Sequence, residues 1–367
     1  MAYGSHSENY LNIPGESKFK NIISAKDFVG WYNGLPEKKN LNLDLSCSHA
    51  VIIGAGNVSL DIARILLSSV EKLNKTDITS DSLLQIKSKN KVKKVTIVAR
   101  RSVFNAAFTL KELREITKLE NVLPLFDLKD FGNVNMAELL ANLDRPRKRL
   151  IEYMYNLAKQ NTSKPNEDDS KKILSFKFLY KPFEIFGNEK GVEKVEFKKS
   201  NFQFNASKPY DIESMEFSDT NEIVKLDTGL LIRSIGYKNV NIDNVEIPFD
   251  KTLGIIPNEN GRVLNKNGLY CTGWIKRGPK GVIVDTTSDA YETAGQLCRD
   301  LSKTDQNSSK VGSKEIINLL KMRNVNVVDK VCWLKIDDEE IRRGKLVGKP
   351  REKLSSVEEM LKVAFST

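Results

Sequence analysis

The chain has 367 residues, 40% of them hydrophobic, and a net charge of +10. That is long enough for two domains and apolar enough for real cores, yet no run approaches the roughly 18 apolar residues of a membrane span. The positive balance fits an acidic partner or substrate, or solubility alone.

The opening stretch, MAYGSHSENYLNIPGES, has neither the basic and apolar blocks of a signal peptide nor the Arg-rich pattern of a transit peptide. Residues 50–54, AVIIG, read as a short buried strand, and Val58, Ile62, Ile65 and Leu66 follow at helical spacing. The polar stretch 74–91 is expected to be helix and loop inserted before the next strand, KKVTIVA (93–99), which ends at Arg100–Arg101. A helix is expected over about 109–119, with Leu110, Leu113 and Ile116 on one face, and another over about 146–159. NTSKPNEDDSKK (161–172) reads as a solvated linker. ILSFKFLY and VEKVEFKKS read as strands of a meander. GLLIRSIGY (229–237) and GLYCTGW (268–274) read as buried strands. A helix over 286–301 then carries Ala290, Ala294, Leu297 and Leu301 as its apolar stripe, and 300–310 is a second linker. The four cysteines, Cys47, Cys271, Cys298 and Cys332, are too scattered for a zinc site, a dithiol or a disulfide framework, which suits a reducing compartment. With only His6 and His49 available, no metal site is expected.

The stretch VIIGAGNVSLDIAR (51–64) carries the chemistry. Strand, glycine turn and helix start are the seat of a dinucleotide pyrophosphate. Gly54 permits the tight turn, Gly56 lets backbone approach the phosphates, and the following N–H groups meet their charge. Ser59 stands where a small residue lets the helix pack on the strand. The acidic residue that would hold an unphosphorylated ribose is missing from the end of the next strand, where Arg100 and Arg101 stand instead. Two guanidiniums there can fork onto a 2′-phosphate, so the expected nucleotide is NADPH. A solvated basic strand end is the plainer alternative. Thr109 and Glu112 have capping-box spacing, which leaves Glu112 reaching back to the cap, touching the cofactor ribose, or doing both. Asp61 reads as a helix-terminus acid. In RPRKR (145–149), Pro146 suits a first helical turn, but the cations crowd the end that the macrodipole disfavours. An acidic protein partner, nucleic acid, or a solvated basic turn would each account for them. The lack of interleaved aromatics ranks nucleic acid low.

These stretches also carry a resemblance. DFVGWYNGLPE (27–37), GNVSLDIARILL (56–67), FTLKELRE (108–115), RPRKRL (145–150), SIGYK (234–238), GLYCTGWIKRGPKGVI (268–283) and GKPREKL (348–354) are similar to the adrenodoxin reductase family of ferredoxin–NADP reductases. That resemblance implies an α/β two-dinucleotide-binding-domain flavoprotein, with a complete Rossmann-like NADPH domain at 1–229 (a crossover at 1–16 included) and part of a split FAD domain at 230–367. It implies FAD and NADP(H) as cofactors, electron flow to an acidic [2Fe–2S] ferredoxin of adrenodoxin type, and a mitochondrial address compatible with peripheral association with the inner membrane. By the same resemblance, Ala55, Gly56, Asn57 and Val58 match the pyrophosphate turn. Arg100 and Arg101 match the 2′-phosphate clamp, and Glu112 a cofactor-binding glutamate. Trp274 and Gly281–Val282–Ile283 match flavin contacts. Arg114, Arg145 and Arg149 match ferredoxin-docking residues.

The family also begins with an FAD-binding strand, glycine turn and helix that have no counterpart here. The expectation is of an incomplete chain with weak FAD affinity and exposed apolar edge in its carboxy-terminal part. No catalytic side chain is expected, because hydride transfer to flavin needs orientation and proximity rather than a nucleophile. Two other readings stay open: another NADPH flavoenzyme of the same architecture, and a non-enzymatic NADPH-binding module. The absence of paired cysteines disfavours a dithiol or iron–sulfur enzyme within the first of these.

Overall fold

The computed structural model describes residues 1–163, 171–243, 245–303 and 312–366. The expected linkers 161–172 and 300–310 lie largely outside these. By contact the chain groups into two compact units: residues 10–235 with 328–367, and residues 1–9 with 236–327.

The larger unit is built on alternating strands and helices: β1 (Ile22–Ser24), α1 (Ala25–Tyr32), β2 (His49–Ile53), α2 (Asn57–Leu67), β3 (Lys94–Val98), α3 (Leu110–Thr117), β4 (Val122–Leu125), α4 (Arg145–Ser163) and β5 (Lys172–Lys177). A meander of β6 (Tyr180–Asn188), β7 (Gly191–Gln203) and β8 (Glu216–Asp227) follows, and β9 (Leu230–Arg233) returns to the sheet. The six-stranded sheet has the order β1-β9-β2-β3-β5-β4 with every pairing parallel. The central strands are apolar on both sides because both faces are covered. Ala50 and Ile52 of β2 join Phe28, Trp31, Leu60, Leu66, Leu113 and Met154 in a core under the helices. Val51 and Ile53 alternate to the opposite face and pack on Ile185, Val195 and Phe197 of the meander. The meander thus takes the place that helices hold on the second face of a doubly wound sheet.

ILSFKFLY divides differently from its sequence pattern. Residues up to Lys177 form β5 of the parallel sheet, and only Tyr180 belongs to the meander. The break falls at Leu179, which adopts φ +66° and bonds back to the carbonyl of Arg101. Strand β9 belongs to the same sheet as the glycine turn, and the carboxy-terminal segment also sits on this unit. There the buried ammonium of Lys349 donates to the carbonyl of Ile78 and pairs with Glu352. Glu352 in turn accepts from the backbone N–H and hydroxyl of Ser80 at 2.8 Å each. GKPREKL is therefore a structural clasp.

The smaller unit pairs Ser7–Glu8 with Tyr237–Lys238 and Asn258–Glu259 with Arg262–Val263. Its core is small: Ile256, Val263, Cys271 and Ile275, flanked by Met1, Tyr3, Ile247, Phe249 and Leu269. The strand expected at 268–274 does not form. Tyr270 makes an isolated bridge to Arg262, and the chain then turns at Gly273 into a short helix, Trp274–Arg277. The expected helix is present as Ile283–Leu301, but its stripe is inverted. Asp289, Thr293 and Gln296 are buried, whereas Ala290, Ala294 and Leu301 are exposed. Apolar periodicity misplaced the face because a polar set, satisfied by Lys276, Thr272 and the Cys271 carbonyl, points inward.

Candidate functional site

In the larger unit the glycine turn joins β2 to α2 at the carboxyl edge of the sheet, the place where open α/β sheets bind ligands. Gly54 adopts φ +120° and its N–H donates to the Val98 carbonyl at 2.8 Å. A Cβ here would lie 2.1 Å from the carbonyl oxygen of Ser234, so the position demands glycine. Gly56 is the N-cap of α2 in extended backbone, and no side chain caps that turn. A Cβ on Gly56 would meet nothing within 4 Å, so the space beside the N-cap is open. Ser59 is fully buried and its hydroxyl donates to the Gly54 carbonyl at 2.5 Å. It packs the helix on the strand, as its size implies, and also satisfies a carbonyl of the turn. Ala55, Asn57 and Val58 complete the turn, all half-buried.

Arg100 and Arg101 follow β3, the strand beside β2. The backbone of Ala99–Arg101 is held by three bonds to the segment running from the end of β5 into β6: Ala99 N–H to the Lys177 carbonyl (2.8 Å), Tyr180 N–H to that of Ala99 (3.0 Å) and Leu179 N–H to that of Arg101 (3.1 Å). Both side chains are exposed, and neither guanidinium has a hydrogen-bond or ion-pair partner among the described residues. The capping box, one of the two roles open to Glu112, does not form. The Thr109 N–H that Glu112 would take donates instead to Asn57 Oδ1 at 2.8 Å. Glu112, half-buried in the first turn of α3, keeps its carboxylate without a protein partner among the described residues. An uncapped helix start, two partnerless guanidiniums and a released carboxylate fit a phosphorylated dinucleotide. Asp61, one turn into α2, binds Arg64 at 2.6 Å; burial raises its pKa above the ordinary carboxylate value, against the pull of Arg64.

Helices α3 and α4 pack together and collect the basic residues. The Arg114 guanidinium lies 5.3 Å over the Tyr153 ring, whose hydroxyl meets Thr117 Oγ1 at 2.8 Å. Arg145, Arg149 and Tyr153 are spaced four apart on α4 and share a face, so Arg114, Arg145 and Arg149 lie along one exposed surface. The unfavourable run of cations at the start of α4 is offset by Asp144, whose carboxylate accepts the Arg147 N–H at 2.7 Å.

In the smaller unit, the Trp274 ring lies 5.5 Å from that of Tyr237. Gly281 adopts φ +85°, and Asp285 folds back to accept the Val282 N–H at 2.7 Å. Val282, Ile283 and Val284 are 49%, 85% and 72% exposed, an aliphatic edge at a helix start suited to a flat ring. Arg277 ties this loop to the helix, donating to the Lys280 carbonyl and to Thr286 Oγ1. Pattern reading missed Asp289 and Lys276, which anchor the loop from below, because nothing in their spacing separates them from a solvated helix face. No group of three or more His, Cys, Asp and Glu side chains among the described residues could hold a metal ion. Nor is any described helix long and apolar enough to cross a membrane.

A parallel sheet with a glycine turn at its carboxyl edge, beside a strand that ends in paired arginines, has the architecture of a dinucleotide-binding α/β protein. The chain is 42% identical over 372 residues to NADPH:adrenodoxin oxidoreductase, mitochondrial, of Salvelinus fontinalis, covering 99% of this chain and 72% of the relative. It is 39% identical over 370 residues to the Homo sapiens protein of the same name, covering 99% and 73%. Its structure matches Mycobacterium tuberculosis FprA in complex with NADPH at a TM-score of 0.89 and 34% identity, over all of this chain and 78% of that one. No family model matches. The chain belongs to the NADPH:adrenodoxin oxidoreductase family, and is an NADPH-dependent flavoprotein reductase of the two-dinucleotide-binding-domain class.

Proposed function

We propose that this chain passes electrons from NADPH through FAD to an acidic [2Fe–2S] ferredoxin of adrenodoxin type in a mitochondrial electron-transfer chain. In this reading the unit of residues 10–235 and 328–367 is the NADPH domain, and that of residues 1–9 and 236–327 belongs to the FAD domain. The reading rests above all on Arg100 and Arg101, two exposed guanidiniums without protein partners among the described residues, beside an uncapped glycine turn.

The backbone of Gly54–Val58 binds the pyrophosphate with the first-turn N–H groups of α2. Arg100 and Arg101 fork onto the 2′-phosphate and exclude NADH by leaving no acceptor for a free 2′-hydroxyl. Glu112 holds a ribose hydroxyl. Trp274 packs beside the isoalloxazine, and Gly281, Val282 and Ile283 present a helix start and an aliphatic edge to the ring. The flavin supplies the switch from two-electron hydride chemistry to single-electron transfer. Arg114, Arg145 and Arg149 dock the acidic ferredoxin and speed encounter by electrostatic steering. The relatives' mitochondrial names support a mitochondrial setting, and peripheral association with the inner membrane is compatible with the absence of a spanning helix among the described residues.

The test is NADPH-driven cytochrome c reduction by the FAD-supplemented chain, with and without an adrenodoxin-type ferredoxin. Strict dependence on the ferredoxin supports the reading. NADPH oxidation that never reaches cytochrome c through the ferredoxin would replace it with another acceptor.

A further inference from the structure

We infer that Arg147, inside the basic run that opens α4, is a positioning residue for the pyrophosphate turn and not a docking residue. The inference rests on the nucleotide reading of that turn. Its neighbours Arg145 and Arg149 are exposed, whereas Arg147 is half-buried and its Nη1 donates to the carbonyl of Ala106 at 2.5 Å. The N–H of that same peptide unit belongs to Ala107 and donates to the carbonyl of Ala55 at 2.9 Å. One peptide plane therefore carries a guanidinium on its oxygen and the glycine turn on its nitrogen. A charged donor on the carbonyl polarises the amide and strengthens what its N–H donates.

The consequence falls on Ala55. A pyrophosphate needs N–H groups in front of it and is repelled by carbonyl oxygens. The Ala107 N–H draws the Ala55 carbonyl aside, and Asn57 Oδ1 fastens the next part of the same loop through Thr109 at 2.8 Å. The loop is held from its other side as well. Asn105 donates to the Ile212 carbonyl at 3.0 Å and accepts from Ser102 Oγ at 2.8 Å. The Ala106–Ala107 peptide thus bridges α4 to the turn, and Arg147 sets its orientation.

Isothermal titration of the full chain with NADP⁺ and with 2′,5′-ADP tests this without any flavin. NADP⁺ carries the pyrophosphate, whereas 2′,5′-ADP engages the arginine clamp and presents a single 5′-phosphate. Arg147→Met should raise the Kd for NADP⁺ about tenfold, the effect of losing a charge-assisted hydrogen bond. Binding of 2′,5′-ADP should change less than about threefold. Arg147→Lys, which keeps a charged donor, should recover most of the loss, and Lys148→Met should leave both affinities as they were. An Arg147→Met variant that binds NADP⁺ like the parent overturns the inference. Equal loss of both ligands also overturns it, by assigning Arg147 to general folding. A parent chain that binds neither ligand overturns the nucleotide reading, and this inference with it.

Discussion

The carboxylate of Asp289 accepts the backbone N–H of Gly273 at 2.5 Å and the Thr272 hydroxyl at 2.9 Å, and so fixes the turn that presents Trp274. Gly273 has φ +75°, and Lys276 completes the anchor at 2.9 Å from Asp289, with both side chains almost fully buried. Burial pushes the Asp289 carboxyl up, but the Gly273 N–H, Lys276 and Thr272 outweigh it and hold the pKa below the ordinary value. A depressed pKa contributes stability above the unfolded value, about 4, that is lost as pH falls through the folded value. Asp289→Ala strands the Lys276 ammonium with less compensation and should cost about 3 kcal/mol. Asp289→Asn, which can still accept the N–H, should cost less. Guanidinium unfolding followed by tryptophan emission at pH 7 measures both, and the gap between parent and Asn variant should narrow toward pH 3. Unchanged stability of the Ala variant would show that the turn does not depend on Asp289.

Asp130 has the opposite sign. Burial first, and Asp127 second, push its carboxyl up to about 7 against the pull of Lys177 and Lys199, and its Oδ2 is buried without a hydrogen-bond partner among the described residues. The folded chain holds a proton that the unfolded chain has released, so stability is lost as pH rises from about 4 to about 7 and is flat above. Asp130→Asn should therefore raise stability by roughly 2 kcal/mol at pH 8, with the gain shrinking toward pH 5. Thermal melts of the two proteins across that range give the measurement, and a constant difference would contradict the titration.

Gly54 and Gly56 separate folding from binding. Gly54→Ala drives a Cβ to 2.1 Å from a backbone oxygen at φ +120° and should cost roughly 2–4 kcal/mol. Gly56→Ala meets open space and has ordinary extended backbone at φ −119°, so it should melt close to the parent, within about 1 kcal/mol for a changed N-cap. Its methyl group nevertheless occupies the space beside the N-cap, so NADP⁺ affinity should fall sharply. Parental NADP⁺ binding by Gly56→Ala would place the phosphates elsewhere.

The parallel sheet was legible because its strands are short apolar runs between amphipathic helices, and the turn was legible because glycine geometry leaves a local mark. The strand end at which Arg100 and Arg101 stand was legible as the close of the next apolar run. What escaped pattern reading has a common physical origin: polar side chains satisfied by distant partners. Asp289, Thr293 and Gln296 form the buried face of a helix whose alanines suggested the reverse. Asn57 took the amide that local spacing assigned to Glu112. Both depend on residues far apart in the chain, which periodicity cannot register.

Arg149 stands exposed on the face it shares with Arg145 and Tyr153, on which Arg114 also lies. Reversing its charge should act on the ferredoxin and spare the nucleotide. Arg149→Glu should raise the KM for ferredoxin at least tenfold at low salt, as for a steering charge, while NADPH oxidation by ferricyanide keeps its rate. The deficit should shrink as salt screens the surface. Equal loss of both activities would remove the docking role.

Arg101 decides which nucleotide is taken. Its guanidinium has no competing protein partner among the described residues, so removing it leaves no buried charge behind and should not lower stability. The whole effect should fall on the 2′-phosphate. A charge-assisted hydrogen bond is worth roughly 1.5–3 kcal/mol, so Arg101→Ala should cost about 10- to 100-fold in NADPH affinity. NADH lacks the phosphate and should bind the variant as it binds the parent, or better. The ratio of the two Kd values, measured on one preparation at fixed salt, is the readout. If NADPH keeps its full advantage over NADH when Arg101 is gone, the 2′-phosphate is held by other residues and the clamp is not at the end of β3.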